Sequence, residues 1–256
     1  MDIYIIIIFI ILLILTYILI NNRQKTDKPN LFLYWEGSKS PYIDLCIDTI
    51  YKHCSKSFNI IFLDDITILN YLPEVKNIDF SKLKIAQKVD YYRIALLYKY
   101  GGVYMDCDII VLKDPIEITK HLNKYDFVGF GCTGNVCKYG YAKPSNWILC
   151  SNKNTLLMKN ILNNYINKLK EINNNNKEFD YHDFGKYIIW DELEKLDKTG
   201  YKYFHYPNLY DGTRDINGHW VTMDRLFSKE KIIYDLPDKL LFIILYNSDP
   251  TEKYKQ

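Results

Sequence analysis

From Ile85 to Tyr100 apolar residues recur every three or four positions, at Ile85, Val89, Tyr92, Leu96 and Tyr100, and the pair Gly101-Gly102 follows at once. That period predicts an α-helix, and the glycines predict its end, because a left-handed backbone costs glycine little. Beyond them the period drops to two, so Val103 to Leu112 is expected as one strand. Alternation sends Tyr104, Asp106, Asp108 and Ile110 to one face and Val103, Met105, Cys107, Ile109 and Val111 to the other. Two carboxylates then share a face, where they repel unless positive charge lies between them.

The same reading extends along the chain. Leu31 to Trp35 is the expected first strand, stopped by Gly37 and Pro41. A helix from about Tyr42 to His53 and a buried strand from Asn59 to Leu63, closing on Asp64-Asp65, complete a strand-helix-strand unit. Further helices are expected around Ile66 to Leu72, Leu156 to Ile172 and Tyr187 to Leu196. A short strand is expected at Asp126 to Phe130, strand and loop from His205-Tyr206-Pro207 onward, and a strand or core segment at Leu240 to Tyr246, while Asn173 to Asn176 reads as an exposed loop. Strands alternating with helices predict an α/β fold of three layers, whose ligands bind beyond the carboxyl ends of the strands. Trp35, Asp64-Asp65 and Asp106 to Asp108 all fall near such ends.

Ile3 to Ile20 is an apolar run interrupted only by Thr16 and two tyrosines. As a helix it would reach about 27 Å, enough to span a bilayer. Asp2 stands where a signal peptide is usually basic, and no small-residue cleavage pattern follows, so an uncleaved anchor is expected. The expected organisation is an anchor at residues 1–21, a polar linker at 22–30 and a single domain at 31–256. Arg23, Lys25 and Lys28 follow the run, and the positive-inside tendency would keep the domain on the cytoplasmic side.

Composition adds a few bounds. At 256 residues, 48% hydrophobic and 25% charged, the chain can bury the core of one α/β domain. A net charge of +2 with no concentrated basic stripe argues against nucleic acid as a partner. The six cysteines show no CxxC pair and no zinc-ligand spacing; free thiols are expected, with a Cys132–Cys137 bridge left open.

The chemistry centres on the paired acids. A site for Mg²⁺ or Mn²⁺ needs few hard oxygen ligands, with water and phosphate oxygens completing the octahedron, and Asp106 and Asp108 supply that minimum. Their Cα atoms would lie about 6.5–7 Å apart on an extended strand, so both reach one ion directly only if the strand bends. On the preceding helix Asp90 and Arg93 are three apart and therefore neighbours. Arginine there could grip phosphate or carboxylate in a fork that lysine cannot match.

The stretch KVDYYRIALLYKYGGVYMDCDIIVLKD resembles the signature of glycosyltransferase family 32, the sugar transferases with a DXD motif that include initiating mannosyltransferases and capsular polysaccharide enzymes. LFLYWEG is similar to that family's opening strand, NIIFLDD to its second, Ala142 to Asn146 to its small-residue and proline segment, and His219-Trp220 to its close. The resemblance implies a GT-A-like, Rossmann-like nucleotide-sugar-binding fold in one domain after the N-terminal helix. It further implies a UDP-hexose or GDP-mannose donor, a glycan, lipid or protein acceptor, Mn²⁺ or Mg²⁺, and transfer with retention. Carried over by residue, Trp35, Asp90, Arg93, Tyr104 and Asp106 would bind the donor, and Asp106, Asp108 and His219 would hold the metal. Asp106, Asp108 and Arg93 would be catalytic. Family precedent places such domains on single-pass membrane proteins of the Golgi or endoplasmic reticulum type or of a host cell, often on the lumenal side, against the charge rule.

Two other functions fit the acids. In a haloacid-dehalogenase-like phosphatase the first acid of DxDx[T/V] is a covalent nucleophile, but Ile110 stands at the Thr/Val position. A catalytically silent, membrane-tethered nucleotide-sugar-binding protein would keep the fold without turnover. Asp183, Asp191 and Glu192 could bind or deprotonate an acceptor, but their spacing is rather that of a solvated helix face.

Overall fold

The computed structural model describes residues 9–14, 16, 28–131, 143–174, 184–207, 212–228, 230–234 and 237–245. In chain order these form β1 (Asn30–Tyr34), α1 (Pro41–Cys54), β2 (Asn59–Leu63), α2 (Ile68–Tyr71), α3 (Ile85–Tyr100), β3 (Gly102–Met105), β4 (Ile109–Val111), α4 (Glu117–Lys120) and β5 (Phe127–Gly131). There follow β6 (Pro144–Ser151), α5 (Leu156–Asn174), α6 (Lys186–Asp197), β7 (Phe204–Pro207), α7 (Met223–Phe227) and β8 (Phe242–Ile244). Most of the expected anchor and both Cys132 and Cys137 lie outside the described residues. Phe9 to Ile14 and Thr16 are helical, and no helix among the described residues is long and apolar enough to cross a membrane.

Six strands form a mixed sheet in the order β2-β1-β3-β6-β5-β7, and β4 and β8 form a separate antiparallel pair. β1 runs parallel to β2 and β3, β5 runs parallel to β7, and β6 alone is antiparallel, to both β3 and β5. Alternation along each strand makes two cores. Phe32, Tyr34, Tyr104 and Leu149 face α3, α5 and α6, while Leu31, Leu33, Val103, Met105 and Ile148 face α1. The three-layer expectation therefore holds, with one reversed strand that the sequence pattern does not announce.

α3 spans the residues expected of it, but its burial is not a stripe. Every residue from Asp90 to Leu97 is buried, because the sheet covers one side and α5 the other, and Ile85 at the amino end is exposed. The helix stops where the glycines require. Gly101 and Gly102 have φ of +67° and +103°, and a Cβ on Gly102 would sit 2.4 Å from the carbonyl oxygen of Asn30. Neither the backbone angle nor the space admits a side chain.

The strand expected from Val103 to Leu112 is two strands in two sheets. β3 is held between β1 and β6, and its ladder ends as Asp106 N donates to Trp147 O at 2.8 Å. The chain then turns through Cys107 and Asp108, and β4 pairs with β8, where Leu245 N donates to Asp108 O at 2.8 Å. Different partners on either side of the turn pull the strand apart. A uniform alternation through both acids is thus not the geometry of this segment.

β6 is the other departure. The sequence reading placed no strand between Phe130 and Leu156, yet eight residues there complete the middle of the sheet. Asn173 and Asn174, expected in a loop, close α5 instead.

Candidate active site

A cavity of about 540 Å³ opens beyond the carboxyl ends of β1 and β3. Trp35 and Glu36 follow β1, Asp90 and Arg93 come from α3, Asp106 and Asp108 flank the turn after β3, and all six line it. Five of the seven residues named from sequence are therefore brought together. Tyr104 and His219 are not among the lining residues.

Arg93 organises the floor. Its guanidinium is buried, with Nη2 3.2 Å from Asp106 Oδ1 and Nε 3.3 Å from Asp90 Oδ1, the latter in charge contact without hydrogen-bond alignment. Nη1 donates to the carbonyl oxygen of Asn146 on β6, and the Asn146 side chain donates from Nδ2 to Asp90 Oδ1 at 2.7 Å. Tyr104 lies beneath, fully buried, its ring 4.8 Å from the guanidinium carbon. Facing inward from β3 makes Tyr104 a support for Arg93, and takes it out of the cavity in which the resemblance would use it.

Charge in this floor is tightly opposed. Burial pushes the Asp106 carboxyl up to about 7, with the neighbouring Asp108 charge adding and Arg93 working against it. Burial likewise lifts Asp90 to about 6, against the pull of Arg93 and Asn146. For Arg93 burial acts downward, but the carboxylates of Asp106 and Asp90 hold its titration above the ordinary arginine range. Between the two acids of the turn, the Cys107 thiol is buried, donates to Tyr34 O at 3.4 Å, and is raised well above the usual thiol range by burial and by both flanking carboxylates. It is therefore no thiolate nucleophile at neutral pH.

Asp106 and Asp108 present hard oxygen donors to one cavity, each raising the cost of the other's charge, which fits a hard divalent cation. Among the described residues no group of three His, Cys, Asp or Glu side chains is disposed to hold a metal, so water and ligand oxygens would have to complete any coordination. His219 does not join the acids. Its imidazole is 74% exposed, 3.7 Å from Asp215 Oδ2, on the outside of a tight turn.

That turn delivers the neighbour instead. Trp220 lines the cavity, with the Arg214 guanidinium 3.5 Å from its ring centre. Asp215 Oδ1 accepts from the backbone of Asn217 and His219, both at 2.9 Å, and its Oδ2 accepts from Arg225 Nη2 at 2.7 Å. Arg225 also donates to Trp220 O at 2.8 Å and grips Glu230 with two nitrogens. Thr222 caps α7 by accepting from Arg225 N at 3.4 Å.

At the mouth Trp35 is half-buried, its indole nitrogen donating to Ser38 O at 3.3 Å. Glu36 accepts from Tyr34 Oη at 2.8 Å and pairs with Lys88, and although burial acts the other way these two partners hold its carboxyl below the usual range. The sequence reading missed Glu36, Asn146, Gly185, Lys186 and Thr213, which also line the cavity. Of these, Glu36 belongs to the LFLYWEG stretch and Asn146 to the Ala142–Asn146 segment.

Other acids have different work. Asp64 accepts from Thr67 N at 2.7 Å and Ile66 N at 3.1 Å, capping a turn. Glu192 is buried between α5 and α6, accepting from Asn164 and Lys195, each at 2.6 Å, while Asp191 is exposed on α6. Neither lines the cavity, and Asp183 lies outside the described residues.

Residues 32–127 match a family described as the glycosyltransferase sugar-binding region containing DXD motif. No curated protein matches the chain. Among solved structures, a PaToxG glycosyltransferase is 18% identical over 66% of this chain and 70% of its own, with a TM-score of 0.47. An active-site mutant of LgtC is 11% identical over 85% of this chain and 87% of its own, with a TM-score of 0.39. The matched stretch runs from β1 to β5 and contains the helix, the glycine pair and both acids of the turn. Through residues 32–127 this chain carries the sugar-binding region found in the DXD glycosyltransferases.

Proposed function

We propose that the protein is a metal-dependent, retaining glycosyltransferase of GT-A-like fold, moving a hexose from UDP-hexose or GDP-mannose to a glycan, lipid or protein acceptor. The observation that carries this reading is the meeting of Asp106, Asp108 and the Arg93–Asp106 ion pair in one cavity, all three residues belonging to the matched region. Trp35 at the mouth offers a flat face for the base. Asp90 and Arg93 offer an acceptor and a donor to sugar hydroxyls and diphosphate.

Held by Asp106 and Asp108, Mn²⁺ or Mg²⁺ would supply Lewis-acid neutralisation of the departing diphosphate. Arg93 orients Asp106 for that role, and its positive charge opposes part of the protonation that burial favours. With Cys107 disabled as a thiolate, the reading needs no covalent enzyme intermediate. Attack on the face vacated by the leaving group, with a leaving-phosphate oxygen taking the acceptor proton, then retains the anomeric configuration.

The test is release of free nucleoside diphosphate from a panel of UDP- and GDP-sugars, with Mn²⁺, with Mg²⁺ and with chelator. Cation-dependent release from one donor is expected. Phosphate release from a phosphomonoester with every nucleotide sugar intact would instead support the phosphatase, and nucleotide binding without any release would support a silent binder.

A further inference from the structure

We propose that Asn146 is a positioning residue that aligns Arg93 with Asp106 by pinning Asp90 to β6; the proposal rests on the reading of this cavity as the transferase site. The guanidinium of Arg93 is surrounded by three anchors from three elements: Asp90 one turn back on α3, the Asn146 carbonyl on β6, and Asp106 after β3. Two of these are tied to the β6 backbone. The Asn146 carbonyl is part of that strand's main chain, and Asp106 N is bound to it through Trp147 O at 2.8 Å. Asp90 is a side chain on a helix, and without a partner of its own it could follow Arg93 to more than one rotamer.

Asn146 Nδ2 removes that freedom by donating to Asp90 Oδ1 at 2.7 Å. Packing completes the restraint on the other oxygen, because Gly185 comes so near that an added Cβ would meet Asp90 Oδ2 at 2.7 Å. The Gly185 carbonyl is itself held by Tyr165 Oη at 3.1 Å. Asp90 is thus clamped between β6 and the start of α6, and its fixed charge fixes the tilt of Arg93. Burial of Asp90 and Arg93, each 4% exposed, means that water cannot substitute for the amide. Aspartate at 146 would set acceptor against acceptor, whereas an amide at 90 facing an acid at 146 would restore the bond with its polarity reversed and the net charge unchanged.

This reciprocal exchange is the experiment. Asn146→Asp, Asp90→Asn and the double variant are compared for nucleoside diphosphate release from the best donor with Mn²⁺, separating kcat from donor KM. A crystal structure of Asn146→Ala reports the Arg93–Asp106 separation. Each single change is expected to lower kcat by about a hundredfold, as a misplacement near 1 Å does, with donor KM little changed in Asn146→Asp, and the double variant to recover most of the loss in kcat. In Asn146→Ala, the 3.2 Å contact between Arg93 Nη2 and Asp106 Oδ1 should open beyond hydrogen-bond reach. Failure of the double variant to recover would assign Asn146 to direct substrate contact and overturn the proposal, as would single variants of parental kcat. If the parent releases no nucleoside diphosphate from any donor, the transferase reading fails and the crystal structure alone decides: an unchanged 3.2 Å contact overturns the positioning role, and an opened one upholds it.

Discussion

Arg93 Nη2 stands 3.2 Å from Asp106 Oδ1, so the first acid of the DXD turn is salt-bridged to the helix that precedes the double glycine. The pair is nearly dry on the arginine side, where the side chain is 5% exposed, and open to the cavity on the other, where Asp106 is 28% exposed. Removing the cation would leave Asp90 and Asp106 facing each other. Arg93→Ala is therefore expected to cost about 3–5 kcal/mol of folding stability, as for other broken buried pairs. Arg93→Lys should lose less stability but still lose turnover, since a point charge cannot meet three anchors. Urea denaturation beside an activity assay checks both, and wild-type stability in the alanine variant would remove the arginine from the floor described above.

Asp108→Ala should abolish cation-dependent release of nucleoside diphosphate, by at least about a hundredfold, while circular dichroism stays that of the parent. Titration calorimetry with Mn²⁺ plus nucleoside diphosphate should show the affinity lost. Parental activity in this variant would contradict the assignment of the turn.

Stability should fall as pH rises. The folded chain holds the Asp106 proton up to about 7 and the Asp90 proton up to about 6, against an ordinary aspartate value near 4. Between roughly pH 4 and 7 the native state therefore binds more protons than the unfolded one, and the sign of the linkage makes each step upward destabilising. Asp106→Asn removes the larger of these shifts. Without divalent cation it should unfold at higher urea than the parent at pH 8, with the gap closing by pH 4. Identical midpoints at pH 8 would show that the carboxylate is not paying for its burial.

Gly102→Ala should destabilise by at least ~2 kcal/mol, because a positive φ and a backbone overlap act together. Thermal unfolding measures it. A shift smaller than that of an exposed alanine substitution would mean that the α3–β3 turn relaxes.

Trp35→Ala should raise donor KM, with stacking worth about 1–3 kcal/mol, and leave kcat at saturating donor nearly unchanged. Steady-state kinetics with two nucleotides decides whether the loss follows the base. A change confined to kcat would move Trp35 away from base binding.

What the sequence announced were local rules obeyed locally. The period of Ile85 to Tyr100, the glycine stop and the strand after it depend on neighbours in the chain, and α3 and β3 fall where expected. The break after Met105 does not, because β8, at the far end of the described chain, pulls β4 out of line. β6 was hidden for a related reason: Pro144 at its start and the half-buried Ser145 and Asn146 mask the apolar run from Trp147 to Cys150. Tyr104 illustrates the same limit, since facing the same way as an acid does not place a ring in the cavity when an arginine sits above it. His219 and Trp220 are neighbours in sequence, yet only the tryptophan lines the cavity, and the Arg214 guanidinium over its ring is a tertiary contact that no spacing announces.

The two acids terminate and open different sheets, so the gap between their oxygens is not a strand repeat but a joint between two separately hydrogen-bonded units. Whatever loosens the small β4–β8 pair should therefore be felt as slackened grip on a cation, even from Phe242 or Ile244, which stand far from both acids along the chain.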